Sequence, residues 1–134
     1  MRIIGHGVDL VEIARIEAML AEHGERFRDR CFTAEEQAYA EAATVRRAER
    51  YAARFAAKEA VLKALGTGWR DGIAWTDIAI SRDPAGRPRV TLSGRCGELA
   101  AEQGIRRWSL SLSHAGTGEG GGYAMASVIA TGEA

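Results

Sequence analysis

Arg54-Phe55-Ala56-Ala57-Lys58-Glu59-Ala60-Val61-Leu62-Lys63-Ala64-Leu65-Gly66-Thr67-Gly68 closes a stretch, Val45 to Leu65, that holds neither Gly nor Pro and is rich in Ala, Glu, Lys, Arg and Leu. Such residues lose little conformational freedom in a helix, so one long helix is predicted. It stops at Gly66-Thr67-Gly68, where glycine accepts the left-handed backbone that ends a helix. On a helical wheel Phe55, Val61, Leu62 and Leu65 share an apolar arc, and Arg54 and Lys58 fall inside it. A cation in that place must snorkel, find a partner or lie at an interface. Glu59 and Lys63 flank the arc, one helical turn apart with the acid first, and spacing alone reads them as a surface ion pair.

Towards the N-terminus, Ile4, His6, Val8 and Leu10 alternate with Ile3, Gly5, Gly7, Asp9 and Val11, the period of a strand, and the glycines admit a close neighbour. The period then lengthens at Ile13, Ile16, Met19 and Leu20, predicting a helix that stops at Gly24. Asp9 lies where strand gives way to helix, and on spacing alone it is an N-cap completed by Glu12. Thr33-Ala34-Glu35-Glu36 is a capping box opening a helix to about Ala43.

Towards the C-terminus, Ile73–Arg82 and Arg87–Ser93 read as strands joined by the Asp83-Pro84-Ala85-Gly86 turn. A short helix over Gly97–Gln103 follows, then strands at Trp108–Ser113 and Tyr123–Ala130. Ala115 to Gly122 contains nothing larger than Ala that is apolar, so a mobile loop is expected beside His114. Adjacent strands with clustered helices predict an α+β fold: an antiparallel sheet packed against the long helix and shorter ones. With 134 residues, one domain spanning 1–134 is expected.

Lys plus Arg and Asp plus Glu balance at 18 each, so overall charge calls for neither nucleic acid nor an anionic membrane. Cys31 and Cys96 lack metal-ligand spacing and read as packing residues of a reduced protein. No apolar run approaches the length of a membrane span or a signal-peptide core, and a soluble, cytoplasmic protein is expected.

Three segments, Gly5-His6-Gly7-Val8-Asp9-Leu10-Val11-Glu12, the Arg54–Gly68 stretch quoted above, and Ser111-Leu112-Ser113-His114, together resemble holo-[acyl-carrier-protein] synthase, the short bacterial class of 4'-phosphopantetheinyl transferase. The resemblance runs through Trp75-Thr76-Asp77-Ile78, Gly86-Arg87-Pro88 and the Tyr123–Val128 strand. It implies the phosphopantetheinyl transferase fold and transfer of the phosphopantetheine arm of coenzyme A to a serine of apo acyl carrier protein, releasing adenosine 3',5'-bisphosphate.

By the same resemblance Asp9 and Glu59 are metal ligands, and two hard carboxylates suit Mg²⁺, which keeps waters and phosphate oxygens in its octahedron. Asp9, Glu59 and Lys63 form the catalytic set, Lys63 steadying phosphate charge. Arg46, Arg54, Lys58, Lys63, Gly66, Thr67, Gly68 and His114 are matched to coenzyme A. Either Glu59 or a water ordered by Asp9 could take the serine proton. Arg15, Met19, Arg26, Phe27 and Arg30 answer an acidic carrier protein. The class also implies a homotrimer with active sites at subunit boundaries. Two rival readings are a carrier-binding module of the same fold without turnover, and a nucleic-acid binder using Arg46, Arg47, Arg50 and Arg54; neutral charge weighs against the second.

Overall fold

The long helix predicted from the Gly- and Pro-free stretch is present as Arg47–Leu65 in the computed structural model, which describes residues 1–70, 72–116 and 121–134. In chain order the elements are β1 (Arg2–Glu12), α1 (Ile13–Cys31), α2 (Ala34–Glu41), α3 (Arg47–Leu65), a 3-10 turn (Trp75–Asp77), β2 (Ile78–Arg82), β3 (Pro88–Leu92), α4 (Gly94–Glu102), β4 (Arg107–Ala115) and β5 (Tyr123–Gly132). Antiparallel β1-β5-β4 form one sheet and β2-β3 a hairpin, so the α+β class holds.

The sheet and α3 approach one another closely because the facing residues are small. Gly5, Gly7, Asp9 and Val11 on β1 stand opposite Ala130, Val128, Ala126 and Ala124 on β5. A Cβ on Gly5 or Gly7 would overlap the carbonyl oxygen of Ala64 or Ala60 of α3. These glycines therefore bring the Asp9 carboxylate against the helix. The opposite face of the sheet carries the larger apolar residues of β1 and β5 outward, with Leu10 62% exposed and Val8, Tyr123, Met125 and Ile129 also open.

Several boundaries differ from the sequence reading for local reasons. β1 continues to Glu12, so Asp9 is inside a strand and does not cap α1. Gly24 does leave helical geometry (φ 47°, ψ −121°), but the chain resumes helix to Cys31 because Phe27 and Cys31 have core to bury. The strand expected from Ile73 begins only at Ile78, since Asp77 accepts the Ala74 N–H at 3.2 Å and tightens Trp75–Asp77 into a turn. Of the loop expected to be mobile, residues 117–120 lie outside the described residues.

The capping box forms as read, with the Thr33 N–H donating to Glu36 Oε1 at 2.7 Å and Glu36 N–H to Thr33 Oγ1 at 3.2 Å. Glu36 also accepts the Ile80 N–H at 2.7 Å and pairs with Lys58 Nζ at 2.8 Å. Lys58 completes its shell with the carbonyls of Ile78, 2.7 Å, and Trp75, 3.1 Å. Both side chains are fully enclosed. This corrects the placing of Lys58 at coenzyme A: it is a core cation that ties α2, α3 and β2 together. Burial pulls its pKa below the ordinary lysine value, opposed by Glu36.

Candidate active site

β1 and the C-terminal half of α3 meet at Asp9, Glu59 and Lys63. Lys63 does not pair with Glu59 as its spacing suggested; it crosses to β1, donating to Asp9 Oδ1 at 3.0 Å and the Val8 carbonyl at 2.9 Å. Asp9 is nearly buried (11% exposed) while Lys63 is half open (53%), so the cation can turn to a ligand and leave the carboxylate bare. The Glu59 carboxyl is held above its ordinary pKa, first by burial and then by the charge of Asp9, with Arg15 and Lys63 opposing. Two carboxylates thus share one field, which is the condition that a divalent cation relieves.

The donor set fits Mg²⁺ in kind. Among the described residues no group of three or more His, Cys, Asp or Glu is placed to hold a metal. A pair of hard oxygen donors suits an ion that keeps water and phosphate in its remaining positions, and does not suit Zn²⁺, which asks for three or four protein ligands.

Gly66 caps α3 in the left-handed region (φ 78°), as the sequence predicts. Its N–H and that of Thr67 close the helix on the carbonyls of Lys63 and Leu62. Those two donors are spent within the chain, and Gly68 lines the same pocket as Glu59 and Lys63.

The remaining residues matched to coenzyme A gather elsewhere. Arg46, Arg54 and His114 line a cleft of about 550 Å³ together with Arg50, Arg82 and Arg87. Arg54 is nearly buried, its guanidinium 4.0 Å from the Tyr39 ring centroid, and burial lowers its pKa. His114 faces Glu49, Nε2 to Oε1 3.1 Å. Sequence reasoning missed Arg82, Arg87 and Glu49. The hairpin turn at Asp83–Gly86 was legible, but nothing in it showed that the flanking arginines would border the same cleft as Arg46 and Arg54, with Arg82 donating to the Tyr39 hydroxyl at 2.6 Å.

The residues matched to the carrier protein also cluster. Met19, Arg26, Phe27 and Arg30 border a groove of about 390 Å³ with Phe55 and Trp75. Phe27 is buried and forms its floor, whereas the arginines are exposed at its rim. Arg15 is exposed and close enough to Glu59 to oppose the rise in its pKa, on the same helix as the groove residues Met19, Arg26, Phe27 and Arg30.

The chain thus holds a carboxylate pair with a half-exposed lysine, an arginine-rich cleft and a basic-rimmed apolar groove. Residues 5–128 match the family model for the 4'-phosphopantetheinyl transferase superfamily. This chain belongs to that superfamily.

Among its relatives, the holo-[acyl-carrier-protein] synthase of Trichlorobacter lovleyi is 48% identical over 95% of this chain and 96% of that protein. The crystal structure of the holo-[acyl-carrier-protein] synthase of Neisseria meningitidis is similar with a TM-score of 0.84 and 35% identity, covering 96% of this chain and 98% of that one. The Helicobacter pylori synthase, solved in complex with coenzyme A, gives 0.79 and 31% over 94% and 99%. The chain is accordingly an enzyme of the phosphopantetheinyl transferase class, and its fold is theirs.

Proposed function

We propose that this transferase moves 4'-phosphopantetheine from coenzyme A to a serine of apo acyl carrier protein with Asp9, Glu59 and Lys63 as its reaction centre. The observation that carries the assignment is Lys63 crossing from α3 to a nearly buried Asp9 beside Glu59. Mg²⁺ held by Asp9 and Glu59 would neutralise the pyrophosphate and make its β-phosphorus open to attack. Released from Asp9, the Lys63 ammonium steadies charge on the phosphate that moves or leaves. A carboxylate of the pair receives the serine proton, directly or through one water.

Arg46, Arg54 and His114 are proposed to bind the 3'-phosphate end of coenzyme A, supported by Arg50, Arg82 and Arg87 in the same cleft. That cleft shares no lining residue with the pocket at Glu59 and Lys63. Arg54 and Lys63 are separated by roughly 13 Å along the helix axis. The outward apolar face of β1 and β5 offers a seat for a second copy. A homotrimer with active sites at its boundaries is the proposed assembly.

The acidic carrier protein is proposed to dock on α1 through Arg15, Met19, Arg26, Phe27 and Arg30. All of residues 1–134 are proposed to act as one domain, in keeping with a single continuous core. No helix among the described residues is long and apolar enough to cross a membrane, and the proposed setting is the cytoplasm, in fatty-acid synthesis.

Incubation with coenzyme A, Mg²⁺ and an apo carrier protein is expected to add one phosphopantetheine to the carrier by intact mass, and chelation by EDTA to stop it. No mass gain with any of several carriers would refute transfer and favour a binding module without turnover; unchanged transfer in EDTA would refute the metal.

A further inference from the structure

Trp69 follows directly on the Gly66-Thr67-Gly68 turn and is 45% exposed, a large apolar surface that the core does not use. It leans on Trp75, ring centroids 6.3 Å apart and planes 22° apart, and Trp75 in turn packs on Phe55 at 5.2 Å. Between this stack and α3 is a slot of about 120 Å³ lined by Glu59, Leu62, Lys63, Gly68, Trp69 and Trp75. One wall is thus aromatic and aliphatic, the other is the reaction centre.

We infer that this slot receives the branched apolar segment of the phosphopantetheine arm and that Trp69 sets the preference for it. The inference rests on the transferase reading above. In the arm, the carbon next to the phosphate-bearing methylene is quaternary and carries two methyl groups. A phosphate held at Lys63 therefore brings those methyls within a few bonds of the slot, with the anion matched to the ammonium and the methyls to the indoles.

Size agrees, since a cavity of roughly 150 Å³ takes benzene and this slot is smaller, suited to a branched aliphatic segment rather than to the whole arm. The Arg30 guanidinium lies 5.8 Å from the Trp69 ring centroid, so Trp69 is braced from α1 as well as by Trp75 while it lines the slot.

The test compares wild type, W69F and W69A with two donors, donor and carrier each being varied: coenzyme A, and an analogue bearing hydrogens in place of the two methyls. Shielding two methyls from water predicts that wild type prefers coenzyme A by roughly tenfold in kcat/KM. W69A should lose about that factor with coenzyme A and treat both donors alike, W69F falling between. Adenosine 3',5'-bisphosphate, which has no arm, should bind wild type and W69A equally.

An unchanged donor preference in W69A overturns the inference. So does weaker adenosine bisphosphate binding, which would mean general damage, or a defect confined to the KM for carrier, which would place Trp69 in the docking groove instead. Transfer from neither donor by wild type would strike the transferase reading itself.

Discussion

Helix α3 carries two lysine–carboxylate pairs of nearly equal length, Lys58 with Glu36 at 2.8 Å and Lys63 with Asp9 at 3.0 Å. The first is sealed: neither side chain touches water, and every remaining Lys58 proton meets a backbone carbonyl. The second is open on the lysine side. Equal geometry thus serves opposite ends. An enclosed pair cannot exchange partners without leaving a bare charge in the core, whereas a half-exposed lysine can move from carboxylate to phosphate at small cost. Exposure of one partner, rather than the ion pair itself, separates the structural pair from the one proposed to react.

K58M gives the largest expected effect, because it leaves Glu36 charged and unpaired in the core. Breaking a buried pair this way costs about 3–5 kcal/mol, read as a lower denaturant midpoint with the slope unchanged. The double variant E36L/K58M should recover only a small part of the loss, since it removes the bare charge but leaves the Thr33 and Ile80 N–H groups without the carboxylate that accepts them. At a temperature where K58M remains folded, its KM for coenzyme A should equal the wild-type value. A raised KM with unaltered stability would return Lys58 to the binding site and erase the contrast.

The contrast also explains what could be read in advance. The long helix, the capping box, the hairpin turn and the alternation of β1 follow from local propensity and spacing, and all appear. Spacing could not choose partners. Glu36 lies a full element away from Lys58 and was legible only as a cap, because its second oxygen accepts from β2 and its capping oxygen also pairs with α3, which meet it only in the folded chain. Likewise the alternation of β1 showed two faces but assigned neither. The face of Gly5, Gly7 and Asp9 turned inward, since the two glycines let α3 approach, and Val8 and Leu10 were left outside. The two cysteines were read as packing residues, and both are buried, with pKa values raised by that burial.

On the open pair, E59Q should lower kcat by about 10²–10³-fold, the range seen when one preorganised charge-stabilising group is removed. Stability should change little or rise, because a half-buried carboxyl already held towards its neutral form by burial and by Asp9 is being neutralised. The combined measurement of kcat and denaturant midpoint is the mirror image of K58M: activity falls without unfolding. A variant that loses stability in step with activity would show that Glu59 is structural too, and the distinction between the pairs would reduce to depth.

The smallest expected effect tests where the open region ends. Arg26 and Arg15 are both exposed on α1, but only Arg15 acts on the Glu59 carboxyl. Reversal of a rim charge changes encounter with a charged partner more than it changes chemistry. R26E should raise the KM for an acidic carrier by about tenfold with kcat unchanged, the defect shrinking as salt screens the wild-type attraction. R15E should raise the KM and lower kcat as well, because a third acid placed towards Asp9 and Glu59 repels the pyrophosphate that must approach them. The comparison is made at matched ionic strength by steady-state assay. If R26E lowers kcat as much as R15E does, docking and chemistry are coupled across the whole of α1, and the reactive region extends well beyond the lysine that opens it.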